Sequence, residues 1–578
     1  MHLRDRAVIG ILSLVLVGLA GTVVLPSLSA GGPSATPRTS LPPSHPYVEG
    51  VVGSATSVSP FSAQTAVERE IDALLFRGLV RLGPDDTLIG DLADHWEVDA
   101  AGAAWTFHLR AGQTWQDGEP ITSNDIVFTV EALSSPDYVG PGAASWREVT
   151  ATAIDPLTVT LSLATPLGGF LQAATQPIAP AHLLAEVPPS DLPADQFGRH
   201  PVGSGAFRLA SMDETRAVLM PAIFEPLQTG GSGVPLDSPV PTDSLATAGP
   251  TAPGGGPLPY LDGIEFRFFA DTDALTAAWD RGELDGAAGI PADVATRLDD
   301  APGSRILRYP ATTLLAVTLN VRASHPEFRD ANVRRALLEA IDRDAIIQHV
   351  LGGFATRAES LIPPSSWAFD AATSKPVPFD AADAKKVLVA AGWKQAEGGG
   401  WIPKGASGPV TIELLSPEAA VNASAYAVAD AIAADWEAIG LTVSRSALAV
   451  SELVGQRLQT GDFSAAVIGT TIGLDPDLYP LLASTQATAN GSNFGGLQSA
   501  DLDKLLVKAR APGTQEERKA AYVALQAKLA AGTYVLPIAF RDVLVVVRNT
   551  LKGPVPRPVG GPGDRFWDVL TWRLADAP

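Results

Sequence analysis

A catalyst needs a nucleophile beside its base, a cluster of metal ligands or a phosphate cradle, and this sequence holds none of them at working spacing. Its eight histidines are scattered, and no HExxH, GxSxG, P-loop or CxxC occurs. Gly203-Ser204-Gly205 sets a serine between glycines without the spacing of a nucleophile elbow. With no cysteine at all, disulfides, thiolate metal sites and cysteine nucleophiles are excluded. Asp475-Pro476-Asp477 brings two carboxylates close together and could touch a ligand or a metal, although a proline between them is also the mark of a turn. No enzyme activity, metal site or cofactor is therefore expected.

Composition narrows the partner. Forty-one Lys and Arg against 63 Asp and Glu give a net charge of −22, which argues against nucleic acid or an anionic membrane surface. At 578 residues with 46% apolar side chains, two or three domains are expected.

The elements that must position a binding site start near the amino end. Arg4 and Arg6 precede a charge-free run from Ala7 to Leu25, nineteen residues that would reach across most of a bilayer core. Residues 1–25 are either a cleaved export signal, with Ser27-Leu28-Ser29 as a cleavage site, or a retained anchor. Either way the two arginines keep the N-terminus inside and the rest outside. Residues 26–46 form a Pro/Ser-rich linker. Tyr47 to Val52 reads as a strand and Glu68 to Gly78 as a helix. In the stretch from Leu92 to Leu133, Trp96–Val98 and Trp105–Leu109 alternate as a hairpin about Gly102. Thr122 and Asp125 then form a capping box for a helix with Ile126, Val127, Val130 and Leu133 on one face. Residues 226–258, nearly without large apolar side chains, read as a flexible insertion.

Two later stretches share one pattern, a helix ended by glycine and turning into a strand: Ala274 to Ala288 about Gly282, and Ser451 to Ile468 about Gly461. They read as two lobes built alike. Leu314 to Asn320 reads as a strand crossing between them, and Val535–Phe540 with Val543–Val547 as the return. Trp436 lies on an apolar stripe with Val428, Ile432 and Ile439, the core face of a helix from Ala425 to Ile439.

Several motifs together resemble one family. Asp117-Gly118 with Pro120-Ile121-Thr122, Pro201 to Leu209 (PVGSGAFRL), Pro259 to Ile264 (PYLDGI), Val333-Arg334-Arg335-Ala336-Leu337 with Ala340-Ile341-Asp342-Arg343, and Asn493-Phe494-Gly495-Gly496 are similar to those of the extracellular solute-binding proteins of the peptide/nickel family (family 5) that serve ABC importers. The resemblance implies an α/β, two-lobed periplasmic-binding-protein fold of the large class, with an extra subdomain in lobe I and an N-terminal signal or anchor helix. Lobe I would comprise 47–82, 201–310 and 536–578, the subdomain 83–200, and lobe II 311–535. The implied function is an extracytoplasmic receptor that captures a peptide or peptide-like solute by closure and passes it to a permease and its ATPase. A receptor for a non-peptide solute such as an oligosaccharide or a metal chelate, or a ligand-sensing co-receptor, would share the fold. The protein would be a monomer. Its missing cysteine rules out the lipid tether that the resemblance would otherwise imply.

The resemblance also implies a cleft site, lined by Ser54, Ala55, Thr56 and Ser57 after the first strand, by Gly469, Thr470, Thr471 and Ile472, and by Asp475 and Asn493. Peptide-binding relatives carry an aspartate near the position of Ile472 that holds the ligand's ammonium group. Either Asp475 serves instead, or this protein does not capture a free peptide N-terminus.

Overall fold

A computed structural model describes residues 45–84, 87–222 and 259–575. The expected signal or anchor at 1–25 and the insertion at 226–258 lie outside the described residues, as does most of the linker. Among the described residues no helix is long and apolar enough to cross a membrane.

The first strand, β1 (Tyr47–Val52), lies where its short apolar run places it and leads to α1 (Ala66–Leu75). That helix stops before the expected Gly78, because Phe76 turns to an extended backbone. A hairpin of β2 (Ala93–Val98) and β3 (Ala104–Leu109) follows, with Gly102 at φ 68°. Next comes α2 (Ser123–Ser134), where Thr122 accepts from the Asn124 N–H and Asp125 accepts from the Thr122 N–H at 2.8 Å. Strands β4 (Val149–Asp155) and β5 (Thr158–Leu163) complete a four-stranded antiparallel sheet in the order β2-β3-β5-β4.

The main sheet then takes up β6 (Phe207–Met212), β7 (Arg216–Pro221) and β8 (Ile264–Phe269), followed by α3 (Thr272–Asp280), β9 (Gly286–Ala288) and α4 (Ala292–Asp299). Strand β10 (Ser304–Leu319) is longer than its apolar run suggests. Arg305 and Arg308 interrupt the alternation but are satisfied in place: Arg305 donates to Leu551 O and Arg308 to the Asp542 carboxylate. Helix α5 (Ala331–Glu339) is capped by Asp330. Beyond it lie β11 (Thr411–Pro417), α6 (Ala419–Ala438, kinked at Asn422), β12 (Thr442–Leu448) and β13 (Ala465–Thr471). The helix expected before Gly461 is a wide π-type turn over Glu452–Leu458. Helices α7 (Ala500–Arg510) and α8 (Gln515–Gly532) precede β14 (Val535–Arg548), one continuous return strand. The strands join as β12-β11-β13-β10-β14-β9-β1-β8-β7-β6.

The apolar cores divide where the chain crosses. Buried residues up to Tyr309 and from Leu544 onward form two clusters, and those from Leu314 to Phe540 form three others. The crossing consists of β10 and β14, paired on both sides of a register break between Pro310 and Leu314. The ladder slips again between Leu315 and Ala316, so its irregular stretch lies at the boundary between the two groups of cores. Trp436 is fully buried in the second half, its indole N–H donating to Leu337 O at 3.0 Å. In the first half the carboxy-terminal segment is tied to β1 and α1 by a buried triad, in which Arg565 donates to Glu49 and, at 2.9 Å, to Glu70. Burial works against the Arg565 charge, but the two carboxylates outweigh it and hold the guanidinium protonated.

Candidate ligand-binding site

The loop after β1 opens at Gly53, whose φ of 112° an ordinary side chain would resist. Ser54 is exposed and Ala55 is buried beneath it. Thr56 is exposed as well but engaged: its N–H donates to Glu68 Oε1 at 3.2 Å and its hydroxyl reaches the same oxygen at 3.4 Å. Glu68 Oε2 accepts from the N–H groups of Gln64 and Thr65, which closes the capping box of α1. Burial pushes the Glu68 carboxyl up, but the backbone donors of Thr65, Thr56 and Gln64 outweigh it and hold it below the usual range. Ser57 donates to Ser62 Oγ at 2.9 Å. Of the three hydroxyls in this loop, that of Ser54 alone makes no such bond among the described residues.

In the second half, antiparallel pairing sets the faces of β13. Thr313 stands opposite Thr471 and Leu315 opposite Gly469. Gly469 and Thr471 are exposed, and the Thr471 hydroxyl meets that of Thr313 at 3.2 Å. Thr470 points the other way and lines a largely apolar cavity of about 50 Å³ together with Ile468, Ile472, Leu314 and Asn493. Ile472 is 6% exposed and belongs to the core, its N–H donating to Thr312 O.

Asp475 is engaged on both oxygens. Arg518 Nη1 donates to Oδ2 and Nη2 to Oδ1, each at 2.6 Å, the bidentate geometry in which a guanidinium binds carboxylate best. Arg518 also lies over the Trp367 ring at 5.0 Å. Asp477 faces Arg510 at 3.0 Å and accepts from the Tyr479 N–H; burial holds its carboxyl above the ordinary range. Each carboxylate of the Asp-Pro-Asp turn thus has an arginine of its own. Asn493 is 3% exposed and spends its amide inside the second half, donating to Leu482 O, Ala483 O and Leu497 O and accepting from Leu497 N–H.

The structure therefore brings Gly469, Thr471 and Thr313 together at an exposed strand end and keeps Ile472 and Asn493 in the interior. Among the described residues no hydrogen bond joins the 54–57 loop to the 469–475 segment. Nor do any three His, Asp or Glu side chains converge there as metal ligands. Sequence reasoning missed Glu68, Arg518, Arg510 and Thr313. Arg518 stands 43 positions beyond Asp475, so no local pattern joins them. The Thr514–Glu517 capping box that starts its helix was the available signal.

The model of the bacterial extracellular solute-binding proteins, family 5, matches residues 87–493. The chain is 24% identical over 489 residues to the oligopeptide-binding protein AppA of Bacillus subtilis, covering 84% of each chain. It is 27% identical over 341 residues to the glutathione-binding protein GsiB of Escherichia coli K12, a match that spans 58% of this chain and 60% of that one. Among solved structures it resembles AppA of B. subtilis in complex with a nonapeptide, with a TM-score of 0.70 at 22% identity, covering 92% of this chain and 99% of that one. NikZ of Campylobacter jejuni in complex with Ni(L-His) gives a TM-score of 0.71 at 21% identity, with 91% and 99% covered.

Proposed function

Because the chain belongs to the bacterial extracellular solute-binding proteins of family 5, we propose that it is an extracytoplasmic receptor that takes up a peptide or peptide-like solute between its two halves and hands it to an ABC permease and its ATPase. Residues 7–25 export it and either anchor it or are removed, and the folded part acts as a monomer. The observation that carries this reading is the coincidence of the divided cores with the register break at Pro310–Leu314. Two halves joined by two strands can rotate as bodies, and a solute that touches both favours the closed form.

The solute meets Ser54, Gly469, Thr471, Thr313 and backbone groups. It carries no free ammonium that must be held by Asp475, because that carboxylate is already answered by Arg518. A blocked peptide or an uncharged solute fits such a site, since a buried ammonium without a partner costs several kcal/mol, on the order of the penalty for any unpaired buried charge. Mass spectrometry of small molecules released from the purified protein tests this. A peptide or other solute without a free amino terminus is expected, and a zwitterionic peptide would overturn the neutral-site reading. Protease added to wall-stripped cells tests the topology: digestion is expected, and full protection would refute it.

A further inference from the structure

The four-stranded subdomain reaches the second half through three glycines. The Gly168 N–H donates to Arg510 O at 2.8 Å. A Cβ on Gly168 would lie 2.6 Å from Ala511 O and 2.9 Å from Arg518 Nε, and one on Gly169 would lie 2.9 Å from Asp475 Oδ1. On Gly102, at the tip of the β2–β3 hairpin, it would lie 2.2 Å from Pro512 Cγ. Backbone conformation explains only the last of these. Gly169 sits at φ −90°, ψ 8°, a geometry open to other residues, and Gly168 is not at positive φ either. What excludes a side chain at 168 and 169 is the nearness of the second half.

The facing surface is stiff. Asp475 and Arg518 lock each other bidentately, Arg518 lies over Trp367, and Arg510 lies 4.4 Å over the Tyr479 ring while pairing with Asp477. We propose that this glycine seat is a latch: the loop at Gly168–Gly169 and the hairpin tip at Gly102 close onto the Arg510–Pro512 corner and the Asp475–Arg518 pair, and set how much of the population is closed. These are positioning residues, since they hold the halves rather than the solute. One backbone hydrogen bond with glycine-sized contacts makes a weak latch, which a solute's own contacts can tip. Asp475, in this account, is a wall of the latch.

The inference rests on the closure proposed above, so its test measures closure separately. The chain has no cysteine, so introduced pairs can be spin-labelled alone. Ala101→Cys with Glu516→Cys reports the latch, and Gln64→Cys, exposed just before α1 in the first half, with Val421→Cys, exposed in the first turn of α6 in the second, serves as the cleft pair by reporting the distance between the halves, both read by double electron–electron resonance on the solute-free chain. Gly168→Val and Gly169→Val are each expected to lower the short-distance population of both pairs about tenfold while the thermal midpoint stays put. Pro512→Trp, which crowds the same contact from the other side, should do likewise and carries the test if a glycine variant does not fold. A cleft pair that samples two distances but ignores all three variants would overturn the latch and leave closure standing. A single distance in every variant would overturn both, and a loss that tracks an equal fall in thermal midpoint would make the contact part of one rigid body.

Discussion

The two halves of the molecule handle the carboxylates near the candidate site residues in opposite ways. In the first, Glu68 is answered by backbone N–H groups and hydroxyls, the cap of α1 and the loop at Thr56. In the second, Asp475 and Asp477 are answered by Arg518 and Arg510 from helices far along the chain. The first solution is local and leaves Ser54 outward; the second is tertiary and ties the turn to α7 and α8. Both leave the exposed strand and loop ends without a free carboxylate, and the neutral character of the proposed site comes from that.

Removing the tertiary answer should hurt most. Arg518→Met leaves Asp475 without its partner at an 18% exposed site and is expected to cost ~3 kcal/mol in urea unfolding. A cost below that of losing Glu68 would break the contrast. A second carboxylate of α1 sharpens it. Asp72 is 6% exposed, its Oδ1 has no hydrogen-bond partner among the described residues, and burial pushes it up to about 8. The folded protein keeps a proton there that the unfolded chain releases, so this group's penalty is absent in acid and grows as pH rises through the carboxylate range to about 8. Asp72→Asn should raise stability at pH 7 by ~1–3 kcal/mol and flatten that slope. Glu68 has the opposite sign: its lowered carboxyl contributes stability above the ordinary carboxylate range, lost as pH falls through its folded value. Glu68→Ala should cost ~1–2 kcal/mol and remove that acid limb.

The smallest effects compare the paired αβ units. Gly282 and Gly461 have nearly the same φ, 75° and 76°, but a Cβ on Gly282 meets nothing within 4 Å, whereas one on Gly461 lies 2.9 Å from Arg322 Cζ. Arg322 cannot easily withdraw, because it donates to Phe494 O and Asn320 Oδ1. Gly461→Ala should cost ~1–2 kcal/mol and Gly282→Ala ~1 kcal/mol. Equal thermal midpoints for the two would show that Arg322 yields.

What could be read from the sequence followed locality. The Thr122–Asp125 cap, the hairpin at Gly102, the positive φ of Gly282 and Gly461 and the stripe around Trp436 all depend on neighbours within a few positions, and each is present. The start of β10 was not legible, since Arg305 and Arg308 break its alternation and only their distant partners Leu551 and Asp542 make the strand tolerable. For the candidate site residues, the partners and facing of the side chains were not legible. Nothing near Asp475 announces Arg518, nothing near Asn493 shows that its amide will be spent on Leu482, Ala483 and Leu497, and the facing of Thr470 and Thr471 follows from pairing with β10.

The central claim is that Asp475 belongs to the fold and the latch and does not hold a ligand's ammonium group. Isothermal titration of wild type and Asp475→Asn with matched peptides, free and N-acetylated, tests it most directly. The account predicts that acetylated peptides bind at least as tightly as free ones and that Asp475→Asn shifts both forms together, within ~0.5 kcal/mol of each other, roughly the limit for uncoupled sites. Tight binding of the free form that Asp475→Asn weakens by ~2–5 kcal/mol, with the acetylated form untouched, would contradict it.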